Sequence, residues 1–181
     1  MRHFQLVDDV SIPQRWHIGE VTADDGWEPP FWAGSAFQGS PIATISRPGI
    51  PLDFSLTSFA VPVATRRVAQ AIGSVADDDL QRIPLRIHGH VGFEVLNALR
   101  VVKCLDESRS EFTKWTERDH RADLAGQYRG VTKLRIEPAN VPNDAHFFRI
   151  EGWLVALIVS DSVKLAMEQI GCRGAKFQEV T

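Results

Sequence analysis

The alternation of apolar and polar residues is clearest in the last third of the chain. KLRI at 133–136, HFFRI at 146–150 and WLVALIV at 153–159 read as strands, with Glu151-Gly152 as a two-residue hairpin turn. The period then lengthens. Val163, Leu165, Ala166, Met167 and Ile170 follow helical spacing, Ser160 or Asp161 stands where an N-cap belongs, and Gly171 stands where a left-handed stop belongs. AKF at 175–177 predicts a final short strand returning to the sheet.

Upstream, IPLRI at 83–87 and FEVLNALRVVKCLD at 93–106 read as strands. The second carries Phe93, Val95, Asn97, Leu99 and Val101 on one face until the alternation slips at Val101-Val102, as a bulge would make it do. Before them, Thr65 is placed to cap a short helix bearing Val68, Ala69 and Ile72, with Gly73 as its stop. The tract Asp77, Asp78, Asp79 then reads as a solvated turn. SRSEFTKWTERDHRADLAGQ at 108–127 keeps only Phe112, Trp115 and Leu124 as apolar anchors, which predicts an irregular or partly helical surface excursion. From Trp16 to Pro51, five glycines and five prolines interrupt regular structure, leaving room for short strands and loops. Strands in runs with helices added to one side predict an α+β fold: a mostly antiparallel sheet with a few short helices packed on it. We expect one domain over 1–181, of which 1–45 is the less regular Gly/Pro/Trp-rich part.

Composition narrows the function. The 181 residues carry 20 basic against 23 acidic side chains, without the basic excess that phosphate-backbone binding requires, so no nucleic-acid partner is expected. The longest apolar run, Trp153 to Val159, is far short of the roughly 20 residues of a spanning helix, and Asp8 and Asp9 interrupt the N-terminal stretch where a signal peptide would be apolar. A cytoplasmic protein with no membrane partner is the expectation. Cys104 and Cys172 have no CxxC spacing and suit a reducing compartment.

The candidate chemistry is sparse. His88 and His90 flank Gly89 and, in an extended chain, would point to one face as two metal ligands; a zinc site wants a third, and no HExxH-like spacing supplies it. A small metal-dependent enzyme built on this pair is therefore the alternative reading, and a turn or edge leading into a central strand is the preferred one. There is no GxSxG elbow, Walker loop or GxGxxG, and Cys104 in an apolar strand and Cys172 after a helix stop lack activating surroundings. No cofactor is expected. The loop DDGWEPPFW places Trp27 and Trp32 among Asp24, Asp25 and Glu28. Such rings serve the chain's own core or, inside an acidic rim that speeds capture of basic partners, anchor another protein.

Four stretches in order, SRPGIPLDF at 46–54, VPVATRRVAQAIG at 61–73, FEVLNALRVVKCLDESRSEF at 93–112 and FFRIEGWLVALIVSDSVKLAMEQIGCRGAKFQEV at 147–180, resemble a bacterial immunity-protein family whose genes lie beside polymorphic toxins. The resemblance runs from about Ile45 to the C-terminus and is most distinctive in the closing strand–helix–strand pattern. It carries no catalytic motif. It implies a non-enzymatic protein whose partner is a cognate protein toxin, neutralised by binding; a binding module unrelated to toxins is the other non-catalytic alternative.

Overall fold

The computed structural model describes residues 1–23, 31 and 33–181. In chain order the strands are β1 (His3–Asp8), β2 (His17–Thr22), β3 (Ile42–Arg47), β4 (Phe54–Leu56) and β5 (Pro62–Thr65). Helix α1 (Arg66–Ala76) follows, then β6 (Leu80–Ile87), β7 (His90–Ala98), β8 (Val101–Val102), β9 (Glu111–Lys114), β10 (Tyr128–Lys133), β11 (Phe147–Ile150) and β12 (Trp153–Ser160). Helix α2 (Asp161–Gln169) and β13 (Ala175–Glu179) complete the order. The strands form one sheet in the order β13-β1-β12-β11-β8, a second in the order β2-β3-β6-β7-β5-β4, and a separate β9-β10 ribbon. The expected mostly antiparallel α+β architecture is what the chain adopts, with its strands divided between two sheets.

The two sheets contain the same path. In one, β4 pairs antiparallel with β5, the chain crosses through α1 to β6, and β7 lies antiparallel between β5 and β6. In the other, β11 pairs antiparallel with β12, the chain crosses through α2 to β13, and β1 lies antiparallel between β12 and β13. The two units differ in where the inserted strand comes from: β7 follows β6 directly, whereas β1 arrives from the start of the chain. Side chains follow the same correspondence. Three residues past the caps Thr65 and Ser160 stand Val68 and Val163; seven past stand Ile72 and Met167; all four are fully buried. Phe54 faces Ala64 across one hairpin as Phe147 faces Val159 across the other. These residues share one core, in which both helices meet the inner faces of both sheets. The outer face of the second unit's sheet is covered by Leu134, Ile136, Val141 and Ala145. Trp16, Phe31 and Ile18 cover the outer face of the first, so Trp16 and Phe31 of the irregular region serve the core.

Several expectations change. Helix α1 runs past Gly73 to Ala76, because Ala76 adds another buried position to the helix's inner stripe. Asp79 is buried rather than solvated: its carboxylate accepts the backbone N–H groups of His146 (2.6 Å) and Phe147 (3.2 Å) and pairs with Arg100, tying the end of α1 to the start of β11. The slip at Val101-Val102 is not a bulge. The chain leaves β7 at Ala98, and β8 joins the other sheet parallel to β11. The excursion holds a strand, β9, whose partner β10 takes Lys133 from the strand expected at 133–136. Leu165 on α2 is more than half exposed, off the buried stripe of Val163 and Met167.

Candidate functional site

The histidine pair sits where the preferred reading put it. His88 and Gly89, with φ of +77° at the glycine, form the turn between β6 and β7, and β7 is an interior strand. His88 is exposed; the His90 ring packs edge-on against Trp16 at 4.9 Å and near Phe93. Packing on aromatic rings accounts for His90 without a ligand. Among the described residues no group of three or more His, Cys, Asp or Glu side chains converges as a metal site.

Neither cysteine is activated. Burial pushes the Cys104 thiol up to about 12, and burial together with nearby Asp53 pushes Cys172 up to about 12, the reverse of what a nucleophile needs. Of the partner-binding residues expected from sequence, Asp24, Asp25, Trp27, Glu28 and Trp32 lie outside the described residues.

The most unusual polar group is one that sequence reasoning passed over as a strand residue. Arg149, on β11, is completely buried. Its Nη1 donates to the Leu154 carbonyl at 2.6 Å and its Nη2 to the Ala60 carbonyl at 3.0 Å, while its Nε has no partner. Among the described residues it makes no ion pair, and burial alone lowers its pKa to about 10. A buried cation is ordinarily paired, and an unpaired one costs several kcal/mol.

Both carbonyls belong to irregular backbone. Between β4 and β5 the chain makes a three-residue loop flanked by Thr57 and Val61, closed by Ala60 N–H donating to the Thr57 carbonyl and by Thr57 N–H donating to the Val61 carbonyl. Ala60 has φ of +56°, the left-handed position that this loop type assigns to glycine, at a cost of roughly 1–2 kcal/mol for a residue with a Cβ. On the other side, Arg149 pairs with Leu157 but Ile150 pairs with Trp153, so Leu154, Val155 and Ala156 bulge out of register. The guanidinium spans these two irregularities, from which three apolar side chains go outward while Ala156 is buried: Phe59 is 47% exposed, Leu154 36% and Val155 47%.

Beside this tip runs a groove. Its larger part, about 770 Å³, is lined by Val10, Ile12, Arg15, His17, Arg47 and Ile50. It continues past His17 and Arg47 to Thr57 and Ser58, at the foot of the loop that carries Phe59. Arg15 is paired with Asp8 at 3.0 Å, whereas Arg47 makes no ion pair among the described residues. The surface therefore combines exposed apolar side chains with cationic groups. It is suited to hold another protein.

The tip could have been found in the sequence from two signals: an arginine inside the strand run FFRI, and an alanine in a short loop after Phe59, where a glycine would be free of strain. The chain matches no curated protein. Its C-terminal part, from Phe93 on β7 through the whole of β11-β12-α2-β13, matches a family model, in agreement with the resemblance carried by its closing strand–helix–strand pattern. The model matched, over residues 93–181, is that of an immunity protein family, Imm11.

Proposed function

We infer that the protein neutralises a cognate bacterial toxin by binding it, without turnover. The observation that carries this reading is the match of residues 93–181 to the immunity family. The local chemistry supports it: the thiols are held protonated by burial and the His90 ring is occupied by Trp16. A specific inhibitory contact needs roughly 800 Å² on each partner with aromatic or apolar anchors inside a polar rim. Asp24, Asp25, Trp27, Glu28 and Trp32 are proposed as one part of that contact, on the chemistry of the stretch alone. The setting proposed for neutralisation is the cytoplasm of the producing cell; among the described residues no helix is long and apolar enough to cross a membrane.

Co-expression tests this directly. Cells carrying the toxin domain encoded beside this chain's gene should die without the chain and grow with it. Death in both cases, for every adjacent toxin, would reject the reading.

A further inference from the structure

The geometry points to the Arg149-pinned tip, Phe59 with Leu154 and Val155, as the surface that meets the toxin, and to a toxin face that covers it with apolar side chains and carboxylates. This rests on the neutralisation reading and adds the place and chemistry of contact.

Three independent features meet at the tip. Exposed apolar side chains are clustered there, on two segments held side by side by one guanidinium. Both segments are irregular in backbone, with a left-handed alanine on one and an out-of-register bulge on the other. Natural chains keep strain and bulges where they aim side chains at a partner. The third feature selects the partner's charge. Arg149 is buried with no carboxylate paired to it among the described residues, and Arg47, in the adjoining groove, has none either. The acidic residue that lines that groove, Asp8, is occupied by Arg15 and by the Leu56 N–H. A positive field under an apolar surface is complemented by acidic residues interleaved with apolar ones, and a toxin segment of that kind would be steered in by the same field. Arg149 is a positioning residue here, since it is completely buried and holds the two segments.

The test uses the full chain and an inactivated form of the toxin domain encoded in the adjacent gene. Phe59→Asp and Val155→Asp should each weaken the complex by about 30-fold or more, the loss expected of a central anchor. Arg47→Glu should slow association by about tenfold and flatten or invert its dependence on salt, a change that a purely structural role for Arg47 would not produce. Val91→Asp, at a 93% exposed apolar residue on the β6-β7 hairpin, should change neither. Hydrogen exchange on the unmodified chain provides a readout that does not depend on any variant folding: toxin should protect amides at 57–61 and 153–156. Protection confined elsewhere, or folded variants that bind as tightly as the unmodified chain, would overturn the inference while leaving neutralisation intact. Failure of the unmodified chain to bind would overturn both. Self-association through the tip, seen by sedimentation and abolished by Phe59→Asp, would assign the surface to a second copy of this chain and overturn it too.

Discussion

In the first unit the inserted strand turns Glu94 toward the helices; in the second, the equivalent position is Phe4. Glu94 is nearly buried and pairs with Arg82 at 2.8 Å and with Arg66 at 3.6 Å. Phe4 instead lies beneath the Lys164 ammonium at 5.4 Å and the Arg2 guanidinium at 5.8 Å. The same backbone position thus offers its cations a carboxylate in one unit and an aromatic face in the other, where Lys164 also pairs with Glu168 at 2.7 Å. The helix starts differ in the same direction. Helix α2 opens on Asp161 and is capped by Ser160, whose hydroxyl accepts from the Val163 N–H, so both residues suit the positive end of the helix dipole. Helix α1 opens on Arg66 and Arg67, which the dipole disfavours, and Thr65 makes no capping bond. Distant partners compensate: Glu94 for Arg66, Asp53 for Arg67. One helix start is encoded locally and the other by tertiary contacts.

The largest effect should come from separating the units. Asp79→Ala strands two backbone donors at the junction of α1 with β11 and leaves Arg100 paired with Asp144 alone, and should cost about 3–5 kcal/mol in urea denaturation. A loss below about 1 kcal/mol would show that this junction does not hold the units together. Next in size, Ile72→Ala and Met167→Ala truncate equivalent, fully buried helix positions and should each cost about 2–5 kcal/mol. A cost at one position and none at the other would break the equivalence of the units.

The caps give a smaller and sharper contrast. Ser160→Ala should cost about 1 kcal/mol, whereas Thr65→Val should be neutral or stabilising, because the buried Thr65 hydroxyl has no partner. Equal losses would refute the distinction between local and tertiary encoding.

The smallest effect concerns pH. His3 occupies the place in the second unit that Phe93 occupies in the first, and burial holds its pKa below the ordinary 6.5. Below pH 6.5 the unfolded chain binds a proton that the folded chain refuses, so His3's contribution is whole above 6.5 and is lost as pH falls toward the lowered value. His3→Phe should remove this part of the pH dependence of stability. An unchanged profile would show that His3 does not cause it.

This contrast explains what could be read from the sequence. The turn at Glu151-Gly152, the Ser160 cap, the helix stop at Gly171 and the last strand were legible because neighbouring residues specify them. The far end of α1 was not, because Gly73 suggests a stop that burial of Ala76 overrides. Strand β1 was not legible either: Phe4 and Leu6 alternate with His3 and Gln5, but Val7 breaks the pattern, and the strand's place between β12 and β13 depends on pairing across the whole chain. Asp79 looked solvated because its partners, His146, Phe147 and Arg100, are distant in sequence. The site was the least legible part. A buried arginine in FFRI reads as an ordinary strand residue until its two carbonyl partners, one from each unit, are brought together.

The central claim, neutralisation by binding without turnover, is tested most directly by titrating a fixed amount of active toxin with the purified chain and following residual toxin activity. Binding predicts a linear fall to an end point at a fixed stoichiometric ratio, with activity recovered when the complex is dissociated. Complete and lasting loss of activity at a small fraction of that ratio would mean that the chain acts catalytically, and would contradict the account.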